Sequence, residues 1–287
     1  MTDMHTVADS LHRAARSLER HSDSPRLDAE ILLGKVLDLS RTALVVRGGQ
    51  PVPDDALLQF DELVARRRRG APVAYLTGSR EFWSLDLTVT PDVLVPRPET
   101  ELVVELALEL CPLGQARRVL DLGTGSGAIA LAIAAERPHA HVTGVDVSAA
   151  ALAVAAHNSR KHGLPGVRWR AGSWFDAVPD EHFDLIIANP PYVACDDPAL
   201  ARLAAEPVLA LTAGPTGLEA LAAIIDRAAS HLNRPGWLLL EHGDTQAAEV
   251  AALLRGAGFG DVRSHHDYSG KPRVTMGLHY FTSGKHT

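Results

Sequence analysis

The sequence has little cysteine: Cys111 and Cys195 are the only two in 287 residues. They form no CxxC pair and cannot build a disulfide framework, which excludes the small disulfide-stabilised secreted domains. No apolar run is long enough to span a bilayer, and the first five residues are polar and include an acid, unlike a signal peptide. We therefore expect a reduced, cytoplasmic protein without a membrane segment.

A positive charge balance is also missing. The formal net charge is -7 at pH 7, whereas proteins held mainly by nucleic-acid phosphates are usually basic. A local basic patch is still compatible with this balance. The 14 histidines are scattered, and the adjacent His265 and His266 lie on a predicted strand, where they face opposite ways. Composition therefore predicts no metal site and disfavours nucleic acid as the substrate.

The first quarter of the chain has a helical pattern and no strand pattern. Apolar residues recur at three-to-four spacing between Val7 and Leu18, as one buried helix face requires. Further helix starts are indicated at Ser24-Pro25, Ser40 and Pro53. The last helix ends in four arginines, 66–69, before Gly70, and these predict a solvated helix end more strongly than contact with RNA or an acidic partner. We expect residues 1–72 to form a small all-α bundle that carries no catalytic group.

The rest of the chain predicts an α/β fold. A hairpin, 81–83 with 85–89, falls in a linker over 73–98, and strands alternate with helices from Arg117 onward. Seven strands are predicted, at 119–122, 142–146, 167–170, 183–188, 237–241 and near 259–265 and 272–280. Short buried strands separated by helices indicate a mostly parallel sheet covered on both faces. The last two strands have no helix between them, so one of them is expected to be antiparallel.

A glycine-rich loop follows the first of these strands. It reads Gly123-Thr124-Gly125-Ser126-Gly127 and leads directly into a helix. Glycines let a backbone turn sharply and let a ligand approach closely. The spacing differs from the dinucleotide GxGxxG pattern, because Ala128 stands where the third glycine would be. The loop therefore predicts a nucleoside-type cofactor other than a dinucleotide.

Three side chains near this loop refine the cofactor. Asp146 ends the next strand, where an acid can hold a ribose diol. Asp121, just before the loop, would repel a pyrophosphate and attract an ammonium group. Trp174, after the third strand, is equally compatible with a wall against adenine and with a core tryptophan. A ligand with a ribose and a cationic amino-acid end fits these residues, and S-adenosylmethionine is such a ligand.

The tetrapeptide Asn189-Pro190-Pro191-Tyr192 follows the apolar strand 183–188. Two prolines cannot continue a sheet ladder, because neither has an N–H to donate. The Asn189 side chain and the Pro190 carbonyl then become fixed acceptors beside the Tyr192 ring, which suits a planar group bearing NH2. The alternative is a simple strand-ending turn. We expect the first, second and last of these residues to act in catalysis.

A proline-flanked loop, Pro96-Arg97-Pro98-Glu99-Thr100, precedes the helix that ends at Leu110. Arg97 and Glu99 are expected either at the rim of the same crevice, in contact with the substrate, or as ordinary loop polarity and a helix cap.

Together these motifs resemble the HemK/PrmC family. The resemblance extends from the linker to the end of the chain, in family order. It rests on Tyr75-Leu76-Thr77-Gly78, Glu81-Phe82-Trp83, residues 96–101, Trp174-Phe175, Glu206-Pro207, Glu241-His242-Gly243, Asp267-Tyr268 and Arg273, besides the glycine-rich loop and the tetrapeptide at 189–192. Relatives often have an acid where this chain has Ser173, which weakens the expectation that this position binds adenine.

The resemblance implies a class I S-adenosylmethionine-dependent methyltransferase with a Rossmann-like sheet over residues 99–287. It implies methylation of N5 of the glutamine in the Gly-Gly-Gln motif of class I peptide chain release factors, with the helical domain helping to hold that partner. It puts residues 123–127, Asp146 and Trp174 around the cofactor, and residues 189–192 around the substrate glutamine. We further expect Asp121 and Asn189 to contact the cofactor.

Three other functions remain as alternatives. An Asn-Pro-Pro-Tyr motif also serves amino methyltransferases acting on adenine, cytosine or guanine, because their target amine is planar too. A second alternative is methylation of a ribosomal-protein glutamine. The third is a non-catalytic nucleotide-binding or adaptor protein, against which the intact pair of motifs counts.

Overall fold

The computed structural model describes residues 5–280, so residues 1–4 and 281–287, which fall within the predicted bundle and the predicted 99–287 domain, lie outside the description. Two compact units meet between Ser79 and Arg80. The division into a bundle at 1–72, a linker at 73–98 and a domain from 99 onward stays a prediction. No helix among the described residues is long and apolar enough to cross a bilayer.

The first unit is helical, as predicted. Its helices are α1 Val7–Leu18, α2 Pro25–Leu37, α3 Arg41–Val46, α4 Asp54–Arg68 and α5 Val73–Thr77. The predicted cap is present, because the Ser40 side chain accepts a hydrogen bond from the Ala43 N–H at 3.2 Å. The fifth helix is an addition within the predicted linker. It is only five residues long, starts after Pro72 and ends at Gly78 in a left-handed conformation.

One of the four arginines at the end of α4 is not a solvated side chain. Arg67 donates through Nε to Asp28 at 2.7 Å, and the two side chains are 19% and 8% exposed. The pair therefore ties α4 to α2 inside the bundle. The other three arginines are exposed, as the solvated helix end predicts.

The second unit contains a hairpin and a seven-stranded sheet. The hairpin is β1 Ser79–Phe82 with β2 Leu85–Thr88. The sheet strands are β3 Arg118–Leu122, β4 His141–Asp146, β5 Arg168–Ala171, β6 Phe183–Ala188, β7 Leu232–Glu241, β8 Gly260–His266 and β9 Pro272–His279. The helices are α6 Glu101–Leu110, α7 Ala128–Glu136, α8 Ala149–Lys161, α9 Glu219–Ala228 and α10 Ala247–Gly256.

The sheet order is β5-β4-β3-β6-β7-β9-β8. β9 runs antiparallel to both of its neighbours, β7 and β8, which confirms the predicted exception among the last two strands. One strand boundary was predicted wrongly. β7 starts at Leu232 instead of 237, because an irregularity in its pairing with β6 accommodates Pro235 within the strand.

The topology brings the two predicted loops together. β3 pairs in parallel with β4 on one side and β6 on the other, so the strand order reverses at β3. Leu122 and Ala188, the last residues of β3 and β6, are register partners. The glycine-rich loop and the Asn-Pro-Pro-Tyr segment therefore leave the sheet side by side, at the kind of crevice where open α/β sheets bind ligands.

Candidate functional site

A cavity of about 500 Å³ lies at this edge of the sheet, within the range of small-molecule sites. Most of the predicted site residues line it: Arg97, Gly123, Thr124, Gly125, Ser126, Asp146, Trp174, Asn189 and Pro191. The others do not reach its wall: Glu99, Asp121, Gly127, Pro190 and Tyr192. Nine of the fourteen predicted residues therefore border one cavity, and the roles of all fourteen stay predictions.

The glycine-rich loop is held open by backbone hydrogen bonds. The N–H groups of Gly123 and Thr124 both donate to the Val145 carbonyl at 2.9 Å. Asp146 accepts from Gly125 N–H and from Ser148 N–H, each at 2.9 Å, through its two oxygens. A carboxylate has about four acceptor positions, so Asp146 keeps acceptor capacity at the cavity wall.

The glycines of the loop serve different purposes. Gly125 has a φ of 55°, and an added Cβ would meet no atom within 4 Å, so this backbone borders open space. Gly127 has a φ of 83°, and an added Cβ would lie 3.0 Å from Trp169 and 3.2 Å from Leu131. Gly125 thus suits close approach by a ligand, whereas Gly127 lets the loop pack on the core.

Asp121 lies beneath the loop and is 1% exposed. Its Oδ2 accepts a hydrogen bond from the Thr124 hydroxyl at 2.6 Å. Its Oδ1 is buried and has no hydrogen-bond partner of ordinary geometry among the described residues, although the Ala130 N–H is close enough to act to lower the pKa of this acid. Burial raises the pKa of Asp121 to about 7, against the effect of the Thr124 hydrogen bond. A cationic ligand group is the kind of partner that would satisfy this buried oxygen.

Trp174 combines the two roles that its sequence position left open. It is half-buried and packs against an apolar cluster under the sheet. It also lines the cavity, and its ring would lie 3.3 Å from a Cβ built on Gly123. Its φ of 47° is unusual for a bulky residue. The tryptophan is therefore both a core side chain and part of the cavity wall, with Ser173 beside it on the lining.

The Asn-Pro-Pro-Tyr segment presents one amide to the cavity. Asn189 Nδ2 donates to the Thr100 Oγ1 at 3.2 Å. Tyr192 lies behind the wall, where its hydroxyl donates to Glu241 Oε1 at 3.4 Å and its carbonyl accepts from Gln246 at 3.1 Å. The segment ends β6, as a turn would, and its asparagine is held in place by a neighbouring hydroxyl.

Two residues of this network were not among the predicted site residues. Thr100 is buried and lines the cavity, although its sequence position suggested only a helix cap. Glu241 ends β7 and is 1% exposed. Burial raises the pKa of Glu241 to about 7, while Thr100, Arg273 and Tyr192 act in the opposite direction. The sequence feature that could have pointed to Glu241 is its position at the carboxyl end of a predicted strand.

Arg97 is ion-paired with a buried acid. Its guanidinium forms an ion pair with Glu206, whose side chain is 3% exposed. The same carboxylate accepts from the Val95 N–H at 3.1 Å. The pair joins two segments of the cavity rim, since Pro207 also lines the cavity. Glu99 is exposed and outside the lining.

No metal centre is built from the side chains that the structure describes: residues 5–280 contain no group of three or more His, Cys, Asp or Glu placed to hold an ion. The arrangement instead offers a cavity, an amide held by a hydrogen bond and three buried carboxylates, of which Glu206 is ion-paired with Arg97.

Two family models match the chain. One, described as the PrmC N-terminal domain, matches residues 9–78. The other, described as the methyltransferase small domain, matches residues 100–264.

Curated relatives match nearly the whole chain. A release factor glutamine methyltransferase from Salmonella typhimurium is 47% identical over 269 residues, which cover 93% of this chain and 96% of the relative. One from Xylella fastidiosa is 50% identical over 254 residues, covering 88% and 92%.

Solved structures share the fold at lower identity. A methyltransferase from Pyrococcus furiosus has a TM-score of 0.53 and 20% identity, covering 69% of this chain and 90% of its own. The hMettl16 catalytic domain, in complex with a MAT2A 3'UTR hairpin, has a TM-score of 0.57 and 18% identity, covering 74% and 81%. These likenesses show the methyltransferase fold of the second unit.

Proposed function

The chain belongs to the family of release factor glutamine methyltransferases, and from that premise we propose the reaction in full. The protein transfers a methyl group from S-adenosylmethionine to the side-chain N5 of the glutamine in the Gly-Gly-Gln motif of class I peptide chain release factors. These partners act on the ribosome, so the proposal implies a cytoplasmic enzyme. The observation that carries the proposal is the Asn189 amide, which lines the cavity next to the glycine-rich loop.

The chemistry of the donor groups fits S-adenosylmethionine. Bound there, the cofactor supplies a methyl group on a sulfonium, which is activated for transfer. Asp146 keeps acceptor capacity for a ribose diol at the cavity wall, and Asp121, buried beneath the loop, supplies a carboxylate that attracts an ammonium group. Gly125 gives the ligand close access to the backbone. Trp174 offers an apolar wall to the adenine.

An amide nitrogen is a weak nucleophile, because its lone pair is delocalised into the carbonyl. In our proposal the Asn189 side-chain oxygen, at the cavity wall, accepts an N–H of the substrate amide, whereas Pro190, which the sequence predicts as a second acceptor, lies outside that wall. The bond to Asn189 orients the nitrogen and favours positive charge that develops on it during transfer. Orientation of this kind contributes several kcal/mol to lowering a barrier.

The other residues of the segment support this arrangement. Pro190 and Pro191 restrict the backbone conformation of the turn, since each proline ring fixes its own φ. Tyr192 packs behind the wall and is held by Glu241. The transferred methyl needs no covalent enzyme intermediate, and the surplus proton leaves the product nitrogen for water.

The helical unit has the role of holding the partner in this proposal. Its match to the PrmC N-terminal domain model over residues 9–78 supports the assignment. The exposed apolar side chains of Val45, Val46 and Leu58 lie on this unit, and exposed apolar groups are common in protein-binding surfaces.

The test is incubation of the protein with S-adenosylmethionine and a purified class I release factor, followed by peptide mass mapping. We expect one added methyl group, on the glutamine of the Gly-Gly-Gln motif. A release factor in which that glutamine is replaced by alanine is the matched control and should stay unmodified. Methyl transfer only to a ribosomal protein or only to nucleic acid would overturn the assignment, and transfer to nothing would favour an adaptor.

A further inference from the structure

The far end of the Asn-Pro-Pro-Tyr segment is held at one peptide unit, the one that joins Tyr192 to Val193. Its carbonyl oxygen, on Tyr192, accepts a hydrogen bond from Gln246 Nε2 at 3.1 Å. Its N–H group, on Val193, donates to the Leu211 carbonyl at 2.9 Å. Gln246 immediately precedes α10, and Leu211 lies between β6 and α9. Two distant segments therefore hold both polar groups of this peptide unit.

The orientation of the Gln246 side-chain amide follows from its two neighbours. Its Oε1 accepts from the Gly243 N–H at 2.8 Å, while its Nε2 faces the Tyr192 carbonyl. Both neighbours are backbone groups, of which the N–H can only donate and the carbonyl can only accept. A flipped amide would bring two donors together and two acceptors together, so the observed orientation is the one that satisfies both groups.

A buried histidine holds the glycine to which Gln246 is anchored. The His242 ring is fully buried, and its Nδ1 lies 2.8 Å from the Gly243 carbonyl. Because a carbonyl only accepts, this nitrogen carries a proton. The His242 Nε2 lies 2.8 Å from the Thr275 hydroxyl, which donates to it in the neutral ring. Gly243 is thus held at its N–H and at its carbonyl, which gives Gln246 a fixed anchor.

A glycine in a third segment leaves room for the hydrogen bond between Gln246 and Tyr192. Gly217, in the loop before α9, has a φ of 75°. A Cβ built on it would lie 2.4 Å from the Tyr192 carbonyl oxygen and 3.1 Å from Gln246 Nε2. The carbonyl is therefore closely packed on this side and cannot swing away from Gln246.

These contacts bear on the proposed reaction, on which this inference rests. The two prolines of the segment each fix their own φ, so the turn is a stiff link whose ends set the direction of the Asn189 side chain. We propose that Gln246 is a positioning residue, which keeps the Asn189 amide in place by fixing the Tyr192 carbonyl. Gln246 lies outside the cavity wall, so it acts without touching the cofactor or the substrate.

Two substitutions separate the donor of this side chain from its acceptor. Gln246→Glu keeps an oxygen for the Gly243 N–H but, when ionised, turns a second oxygen toward the Tyr192 carbonyl. Gln246→Met keeps the length and removes both groups. With both substrates saturating at about pH 8, we expect each variant to lower kcat about 10- to 100-fold, because a small misplacement of an orienting group costs that much. The dissociation constant for S-adenosylmethionine should stay unchanged, which also reports that each variant is folded.

The pH dependence of Gln246→Glu distinguishes positioning from a loss of stability. A protonated carboxyl can donate to the Tyr192 carbonyl, as the amide does. A half-buried carboxyl that faces a carbonyl oxygen has its pKa raised above the ordinary range. The kcat of Gln246→Glu, relative to the unmodified protein at the same pH, should therefore rise about threefold or more as pH falls from about 8 to about 5.5. The relative kcat of Gln246→Met should stay constant.

A second readout needs no turnover. Hydrogen exchange of the Val193 amide, followed by NMR in the full-length protein, reports on the same peptide unit. It should be faster in both variants than in the unmodified protein, while amides of the glycine-rich loop keep their rates.

Ser159→Ala is the control for a purely structural loss. It removes a hydrogen bond from a buried hydroxyl to the Leu164 carbonyl, 2.6 Å long and outside the cavity wall. It should lower the melting temperature and leave both kcat and Val193 exchange unchanged. Full kcat in both folded variants of Gln246 would overturn the inference, as would a Gln246→Glu protein without relative recovery at low pH.

The two proposals fail in different ways. If the unmodified protein leaves release factors unmethylated, the proposed function fails, while Val193 exchange still shows whether Gln246 fixes the turn. If methylation proceeds at full kcat in both variants of Gln246, only the positioning role fails.

Discussion

The two halves of the site each contain a buried carboxylate at the edge of the sheet, Asp121 in β3 and Glu241 in β7. Both are 1% exposed, and burial raises the pKa of each to about 7. Each accepts a hydrogen bond from a hydroxyl and keeps one oxygen without a hydrogen-bond partner of ordinary geometry among the described residues.

Their surroundings differ in the sign of the neighbouring charge. Asp121 faces another acid, Asp146, which raises its pKa further. Glu241 faces Arg273, a cation that acts to lower its pKa.

Arg273 is itself ion-paired with Asp267 at 3.3 Å, so it acts on Glu241 only from a distance. A buried carboxylate with no cation nearby nevertheless suits a cationic ligand better than one that already has a cation in its surroundings. We therefore propose that the Asp121 half binds the cofactor and that the half containing Asn189 and Glu241 accepts the substrate amide.

The largest effect is expected from Asn189→Ala, which removes the oriented amide. Methyl transfer to the release factor should fall by about 100-fold or more, as when one preorganised polar group is deleted from other active sites. The dissociation constant for S-adenosylmethionine, measured by calorimetry, should stay within a few-fold. An unchanged kcat would show that the Asn189 amide is not needed for methyl transfer.

Asp121→Asn should weaken the binding of S-adenosylmethionine. Loss of a charged partner costs about 1.5–3 kcal/mol, so the dissociation constant for S-adenosylmethionine should rise about 10- to 100-fold. Glu241→Gln is the matched control, since it neutralises a carboxylate of equal burial, and it should change that constant far less. Equal losses of cofactor affinity in the two variants would contradict the division of roles.

The pH dependence of stability should reveal both acids at once. Ordinary pKa values are 3.8 for Asp121 and 4.5 for Glu241, and both are about 7 in the folded protein. At pH values between the unfolded and the folded pKa of each acid, the folded state therefore binds more protons than the unfolded state. The free energy of unfolding must fall as pH rises from about 4 to about 7, and the loss is complete above that pH.

Asp121→Asn and Glu241→Gln should each reduce this loss of stability with rising pH. The measurement is the melting temperature of the ligand-free protein as a function of pH. S-adenosylmethionine added at pH 8 should restore more stability to the unmodified protein and Glu241→Gln than to Asp121→Asn. Parallel pH profiles for all three proteins would show that neither carboxyl has a raised pKa.

The smallest effect is expected within the glycine-rich loop. Gly125→Ala strains a left-handed residue in open space and should cost about 1–2 kcal/mol of stability. Gly127→Ala adds close contacts with Trp169 and Leu131, so its melting temperature should drop further. The opposite order of melting temperatures would mean that Gly127, and not Gly125, borders open space.

The sequence predicted the parts of the site that have local signatures. The loop at 123–127 and the segment at 189–192 each follow an apolar strand, and parallel pairing of those strands is enough to bring them together. Site residues whose contacts join segments that are far apart in the sequence were not predicted. Thr100 accepts a hydrogen bond from Asn189, and no spacing in the sequence indicates this contact.

The fold shows the same division between local and distant signals. Helix spacing and the Ser40 cap identified the first four helices. The buried Arg67–Asp28 pair depends on two helices packing together, so a run of four arginines suggested only a solvated helix end. The start of β7 was missed because Pro235 normally ends a strand and is tolerated here by an irregular pairing.

One measurement tests the division between the two halves most directly: single-turnover methyl transfer to a release factor at saturating S-adenosylmethionine, with Asp121→Asn and Asn189→Ala side by side. We predict that Asp121→Asn returns to within about tenfold of the unmodified rate once the cofactor is saturating, whereas Asn189→Ala stays at about one hundredth or less. A rate that saturation restores in Asn189→Ala but not in Asp121→Asn would contradict the account.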